Sequence, residues 1–293
     1  MHDPVAIAVF AAELLLAAGF GFASEKIAAT VQRWPSRLRT TAPILAALPY
    51  TAVAVEYHIF RWRWFALYAV LPVVVTWLLE QAAIPDPQKR GNWRDALVLL
   101  TLGLAVDLRW FDSAWPHDLE ALGKLLLVDV GLYGFLAIRQ LDGTGFEFRL
   151  RWSDAKTGLR ELAFFAPVVL VLGIILGFIH PHANMPSAVG ALWLWIKIFL
   201  FVAIPEELFF RSWVQNLLER RVGRKMALIL ASAVFGLSHF NKRLARGARF
   251  NWQYVVLATV AGIFYGRAWR ENRRVPASTI THTFVDWIWS WWF

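Results

Sequence analysis

The feature that most constrains this chain is a series of apolar runs near or above the length of a bilayer crossing. Residues 188–204 read AVGALWLWIKIFLFVAI and carry one charge, Lys197. A helix needs about 20 apolar residues to cross the hydrocarbon, so such runs are candidate spans. They recur at about 5–22, 42–56, 64–80, 95–108, 119–138, 162–179, 188–204, 226–240, 253–269 and 276–293. The reading is an all-α, polytopic transmembrane helical bundle with about eight to ten hydrophobic helices, 95–108 being the shortest run. Composition agrees: 58% of residues are hydrophobic and 17% charged, against roughly 25% charged in a soluble domain, and the mean hydropathy is +0.47.

The net charge of +9 fits the positive-inside rule better than nucleic-acid binding, because no basic run is interleaved with base-stacking aromatics. Basic loops around 26–39, 89–94 and 139–160 alternate with loops poor in Lys and Arg. This predicts a cytoplasmic face for the basic set and an outward amino terminus. After residue 205 three successive segments are basic, at 219–225, 242–249 and 267–274, so one late helix is expected to fall short of a full span. The start, MHDPVAIAVFAAELLLAAGF, lacks a basic leader and is interrupted by Glu13, which reads as a retained span. There is no cysteine, which excludes disulfides, a cysteine nucleophile and thiolate ligands. The polar connector 141–161 is the expected internal boundary, giving parts 1–150 and 151–293, with Ser153 or Asp154 capping the helix that follows. The pairs Gly173/Gly177 and Gly262/Gly266 are read as close-packing positions between helices.

Three polar motifs stand in or beside late apolar runs. The first is PEELFFR, 205–211. Pro205 suits a helix's first turn, where Glu206 and Glu207 would be favoured by the helix dipole. Glu207 and Arg211 have the i,i+4 spacing of a structural ion pair, which leaves Glu206 to be explained. A plainer reading makes 205–221 an interfacial helix with solvated charges. The second motif is FGLSHF, with Phe235 and His239 four apart. The third is HTFVDW, with His282 and Asp286 four apart. A lone histidine in an apolar helix is usually structural. Three such sites on separate late helices point to function, because intramembrane ionisable groups are costly. Glu206, His239, His282 and Asp286 form a water-activating set: a base, an oxyanion stabiliser and an acid are what amide hydrolysis needs. Glu206, His239 and His282 also match the donor count of a catalytic zinc site. The residues leave both chemistries open.

In order and spacing these motifs resemble the CPBP family, the type II CAAX prenyl endopeptidases and their bacterial abortive-infection relatives. The family pattern of EExxxR, FxxxH and HxxxN/D matches Glu206 to Arg211, Phe235 to His239 and His282 to Asp286, over about 160–293. The resemblance implies an intramembrane endopeptidase of the bacterial cell membrane acting on a membrane-associated peptide or protein. In it Glu206 works with His239 on water, His282 and Asp286 complete the site, and Arg211 is structural. Family members have been described both as metalloproteases and as glutamate-dependent proteases. Asp286 stands where the prenyl-protease branch carries Asn, and an ionised Asp accepts hydrogen bonds without donating them. This places the chain with the bacterial branch, and cleavage of prenylated substrates is not implied.

No HExxH or GxGD occurs, which argues against zincin and aspartyl intramembrane proteases. Gly236-Leu237-Ser238 is only a faint echo of a membrane serine protease. The rival from another class is a non-catalytic scaffold, immunity factor or regulator on the same fold. A transporter is a second rival, since Glu13, Lys124 and Asp129 lie in early spans. The plainer reading has Lys124 snorkelling and Asp129 paired with it or with a neighbouring helix. His58, His117, His180 and His182 read as loop residues, and Trp287, Trp289, Trp291 and Trp292 as an interface anchor.

Overall fold

The computed structural model describes residues 3–180, 187–244 and 248–292. His182 lies outside them. The described residues are helical throughout their regular structure and contain no strand. The helices are α1 (Pro4–Gln32), α2 (Ser36–Glu56), α3 (Trp62–Ala83), α4 (Trp93–Asp107), α5 (Ala121–Ile138), α6 (Trp152–Ile175), α7 (Ala188–Val222), α8 (Arg224–Leu237), α9 (Trp252–Asn272) and α10 (Val275–Trp292). Six of them, α1, α2, α3, α5, α6 and α7, are long and apolar enough to cross a membrane. Their outward faces carry Leu15, Trp77, Val171, Ile175 and Leu192, all exposed on the protein alone, as lipid-facing positions require. The protein is an all-α polytopic bundle.

One late helix is expected from the sequence to fall short of a span; none of α8, α9 and α10 is among the six candidates, and α8 is the shortest of them. Its 14 residues rise about 21 Å, less than the hydrocarbon thickness. The 15-residue α4 is similarly short.

The chain divides into two compact units, Met1–Asp142 and Gly143–Phe293. The division precedes residue 150 because 144–149 is bonded to the second unit. The Thr144 carbonyl accepts from Ser212 Oγ at 2.7 Å and from Trp269 Nε1 at 3.0 Å. The Gly145 carbonyl accepts from Val275 N–H at 2.9 Å, and Glu147 pairs with Arg274. At the start of α6 the cap position is Arg151. Asp154 is three residues inside, accepting from Arg151 N–H at 2.9 Å and from Arg274 Nε at 2.7 Å.

In unit 1, α1 packs along α5, and α3 lies against α2, α4 and α5. Arg139, 2% exposed, ties the loops together through Asp95 at 2.8 Å and through Asp86. In unit 2, α8 packs on α9, and α6, α9 and α10 contact one another. Phe165, Phe210, Phe235, Ala258, Ala261 and Tyr265 form their shared core. Gly262 and Gly266 permit the α8–α9 approach: a Cβ at Gly262 would press on Ser232, and one at Gly266 would collide with Leu228 and Gln215. Gly173 packs on Ile179. Gly177 has open space around it and φ +63°, so it ends α6 rather than packing.

Burial raises the Asp86 carboxyl, but N–H bonds from Arg90 and Gly91 and the Arg139 guanidinium outweigh it and hold Asp86 below its ordinary value. A depressed folded pKa contributes stability that is complete above about pH 5 and is lost as pH falls through the folded value. Asp86→Asn is expected to flatten the acid limb of a melting-temperature profile measured in detergent. Gly145 sits at φ +69°, where a Cβ would collide with the Arg273 carbonyl oxygen. Gly145→Ala is expected to destabilise unit 2 by about 2–4 kcal/mol, visible as a lowered melting temperature.

Candidate active site

Helix α7 is 35 residues long and passes straight through PEELFFR. No new helix begins at Pro205, so the expected first-turn position of the glutamates is not what places them. Instead, two wider π-helical stretches flank them, Phe199–Ala203 and Leu208–Gln215. Pro205 has no N–H to donate back along the helix, and the π turn just before it accommodates that gap. Such turns are concentrated at functional sites.

Glu207 and Arg211 form the expected ion pair, Nε to Oε2 at 2.9 Å, with both side chains 0% exposed. The solvated-helix reading therefore fails at these two residues. Arg211 Nη1 and Nη2 have no hydrogen-bond partner. The guanidinium carbon lies 5.2 Å from the Phe235 ring centroid and 5.9 Å from that of Tyr265. Aromatic faces thus meet the remainder of its charge.

Glu207 has a second bond, foreseen by no spacing in the chain. Its Oε1 accepts from His282 Nδ1 at 2.9 Å, across 75 residues. Because a carboxylate only accepts, Nδ1 carries the proton. This orients the ring so that Nε2 faces two other carboxylates, Asp286 at 3.4 Å and Glu206 at 3.9 Å. Exposure rises across the three acids: Glu207 is sealed at 0%, Glu206 is at 16% and Asp286 at 37%. The site is closed on the Glu207 side and opens toward Asp286.

His239 lies in the turn just past α8, 7% exposed. Its Nδ1 is 2.8 Å from the Phe235 carbonyl oxygen. A carbonyl only accepts, so Nδ1 carries hydrogen and Nε2 of the neutral ring is the acceptor. The ring is 4.9 Å from Phe235 and 4.8 Å from Tyr254, within electrostatic reach of Glu206 and His282. The same Phe235 ring is 5.8 Å from His282, so it lies beside both imidazoles. Tyr265 stacks on His282 at 4.6 Å with 17° between planes.

The structure thus brings Glu206, Glu207, His282 and Asp286 together, with Arg211 behind them and His239 beside Phe235. Tyr254 and Tyr265 were not singled out from the sequence. They are eleven residues apart on α9, three helical turns, and so share a face. Two tyrosines in that register on an apolar helix were a readable signal.

Among the described residues no three His, Cys, Asp or Glu side chains are arranged to hold a metal ion. Glu206, His239 and His282, the zinc set of the sequence, do not form such a group. The Nδ1 of His239 is committed to a backbone carbonyl and its ring is flanked by Phe235 and Tyr254.

Fold and site together define an integral membrane protein with a carboxylate–histidine centre on its late helices. Residues 188–288 match the family model described as type II CAAX prenyl endopeptidase Rce1-like. That segment, about a third of the chain, holds all three motifs, and the match supports membership of the CPBP family. No curated protein and no solved structure matches it.

Removing one partner of a buried pair leaves the other charge uncompensated. Glu207→Gln is expected to destabilise the protein by about 3–5 kcal/mol. Glu207→Gln combined with Arg211→Met should recover part of that loss, which thermal unfolding of wild type and the two variants will measure.

Proposed function

We propose that the chain is an intramembrane endopeptidase that hydrolyses a peptide bond of a membrane-associated substrate, with Glu206 as the base for water. The observation that carries this reading is the placement of the Glu206 carboxylate 3.9 Å from His282 Nε2, with His282 oriented from behind by Glu207. A gap of that size between two polar atoms suits a bridging water. Glu206 removes a proton from this water, and His239, whose neutral Nε2 is an acceptor, helps to orient it. The hydroxyl oxygen adds to the scissile carbonyl carbon. His282, protonated on both ring nitrogens among the carboxylates of Glu207, Glu206 and Asp286, donates from Nε2–H to the developing oxyanion, giving up its long contact with Asp286. Glu206 then returns the proton to the leaving amine as the C–N bond breaks.

In this reading Glu207 and Arg211 position His282 and do not touch substrate. Asp286 holds the open side of His282 before substrate enters. The acceptor-only character of an ionised Asp286 supports an orienting role over oxyanion donation. The substrate is a peptide or protein segment delivered from the membrane, and the enzyme resides in a bacterial cell membrane. No step passes through a metal.

Turnover of a peptide library by purified protein in detergent tests the proposal. Glu206→Gln is expected to lower kcat by roughly 10²–10⁴-fold while the melting temperature stays close to wild type. Chelator treatment is expected to leave wild-type turnover unchanged. Equal turnover by wild type and Glu206→Gln would end the proposal. Absence of turnover from both would favour the non-catalytic scaffold.

A further inference from the structure

Unit 1 holds a second set of ionisable groups within apolar helices, and the proposed reaction makes no use of it. Glu13 sits about a third of the way along α1. The buried stripe of that helix is Ala6, Val9, Glu13, Phe20, Gly21, Ala28 and Val31, so the carboxyl is turned inward while Leu15 and Leu16 face out. Asp129 lies on α5, the helix against which α1 packs. Glu13 is 6% exposed and Asp129 5%. The two carboxyl groups face each other. Neither oxygen of Asp129 receives a hydrogen bond from any N–H or O–H donor.

Among the described residues no cation is among the groups acting on either carboxyl. Lys124 is on α5, but five residues place it about 140° around the helix from Asp129. Of the two partners read from the sequence for Asp129, Lys124 or a neighbouring helix, the structure has the second, with Glu13 of α1. Tyr68 of α3 is within electrostatic range of Glu13, and its hydroxyl accepts from Trp115 Nε1 at 2.7 Å. Tyr50 and Asp112 lie beyond Tyr68, and neither supplies a positive charge.

Two carboxylates facing each other in a low-dielectric interior cannot both be ionised. A single proton between them converts repulsion into a short charge-assisted O–H···O bond and satisfies the otherwise orphaned Asp129. We propose that Glu13 and Asp129 form a proton-binding site inside the membrane part of unit 1, one proton being held between the two carboxyls. The ligand is the proton itself.

Infrared spectroscopy of the full chain in detergent reads this directly. Wild type at neutral pH is expected to show a protonated-carboxyl C=O stretch that shifts down in D2O. The Glu13→Gln/Asp129→Asn double variant, which keeps shape and hydrogen-bonding capacity, is expected to lose it. Absence of the band from wild type, or its full retention in the double variant, overturns the proposal. Should the double variant not fold, a lipid-soluble carbodiimide decides on wild type alone. The carboxyl proton passes to a carbodiimide nitrogen, the carboxylate oxygen adds to its carbon, and the product rearranges to a stable N-acylurea that mass spectrometry can locate. The adduct is expected on Glu13 or Asp129, its rate falling about tenfold per pH unit above the midpoint. No adduct on either residue overturns the assignment.

Discussion

The centre of unit 2 depends on one buried contact, the carboxylate of Glu207 held between Arg211 and His282. Each partner fixes a different helix. Arg211 belongs to the same turn of α7 and locks the rotamer of Glu207. His282 belongs to α10, so the same carboxylate joins α7 to α10. Removed from water, each of these groups alone would be costly. Together they satisfy one another, and the aromatic faces of Phe235 and Tyr265 cover the rest of the guanidinium. The His282 ring is therefore oriented by the fold before any substrate arrives.

From that contact the remaining geometry follows. With Nδ1 bound to Glu207, Nε2 of His282 faces Glu206 and Asp286. Tyr265 stacks on one face of the ring, and Phe235 lies edge-on to His282 and tilted against His239. The core of unit 2 and its polar centre are thus the same structure. Residues that fill the interior, Phe235 and Tyr265, also set where the imidazoles point. The adjacent glutamates take different environments because successive residues on a helix point about 100° apart. One is sealed against Arg211, and the other is partly open to the site.

Much of this was legible in the chain. The apolar runs foretold a helical membrane protein. The i,i+4 spacing foretold the Glu207–Arg211 pair, and the EExxxR, FxxxH and HxxxD motifs foretold which late helices carry polar groups. The continuity of α7 through Pro205 was not legible, because a proline ordinarily marks a helix start or kink, and only the flanking π turns reconcile it with an unbroken helix. The rims of α6 were misread for a related reason. Gly177 carries no packing role, and Asp154 is inside the helix rather than at its cap, since both depend on which distant groups lie nearby.

Short-range pattern, then, determined the elements, their apolar faces and the local ion pair, because a helix fixes the neighbours of a residue within a turn or so. Only the tertiary structure decided that Glu207 also holds His282, that Tyr254 and Tyr265 line the histidines, and that Asp129 faces Glu13 rather than Lys124. Those partners are separated by tens of residues along the chain or lie on opposite sides of one helix. No local spacing encodes such a meeting. It is set by which faces of separate helices are packed together.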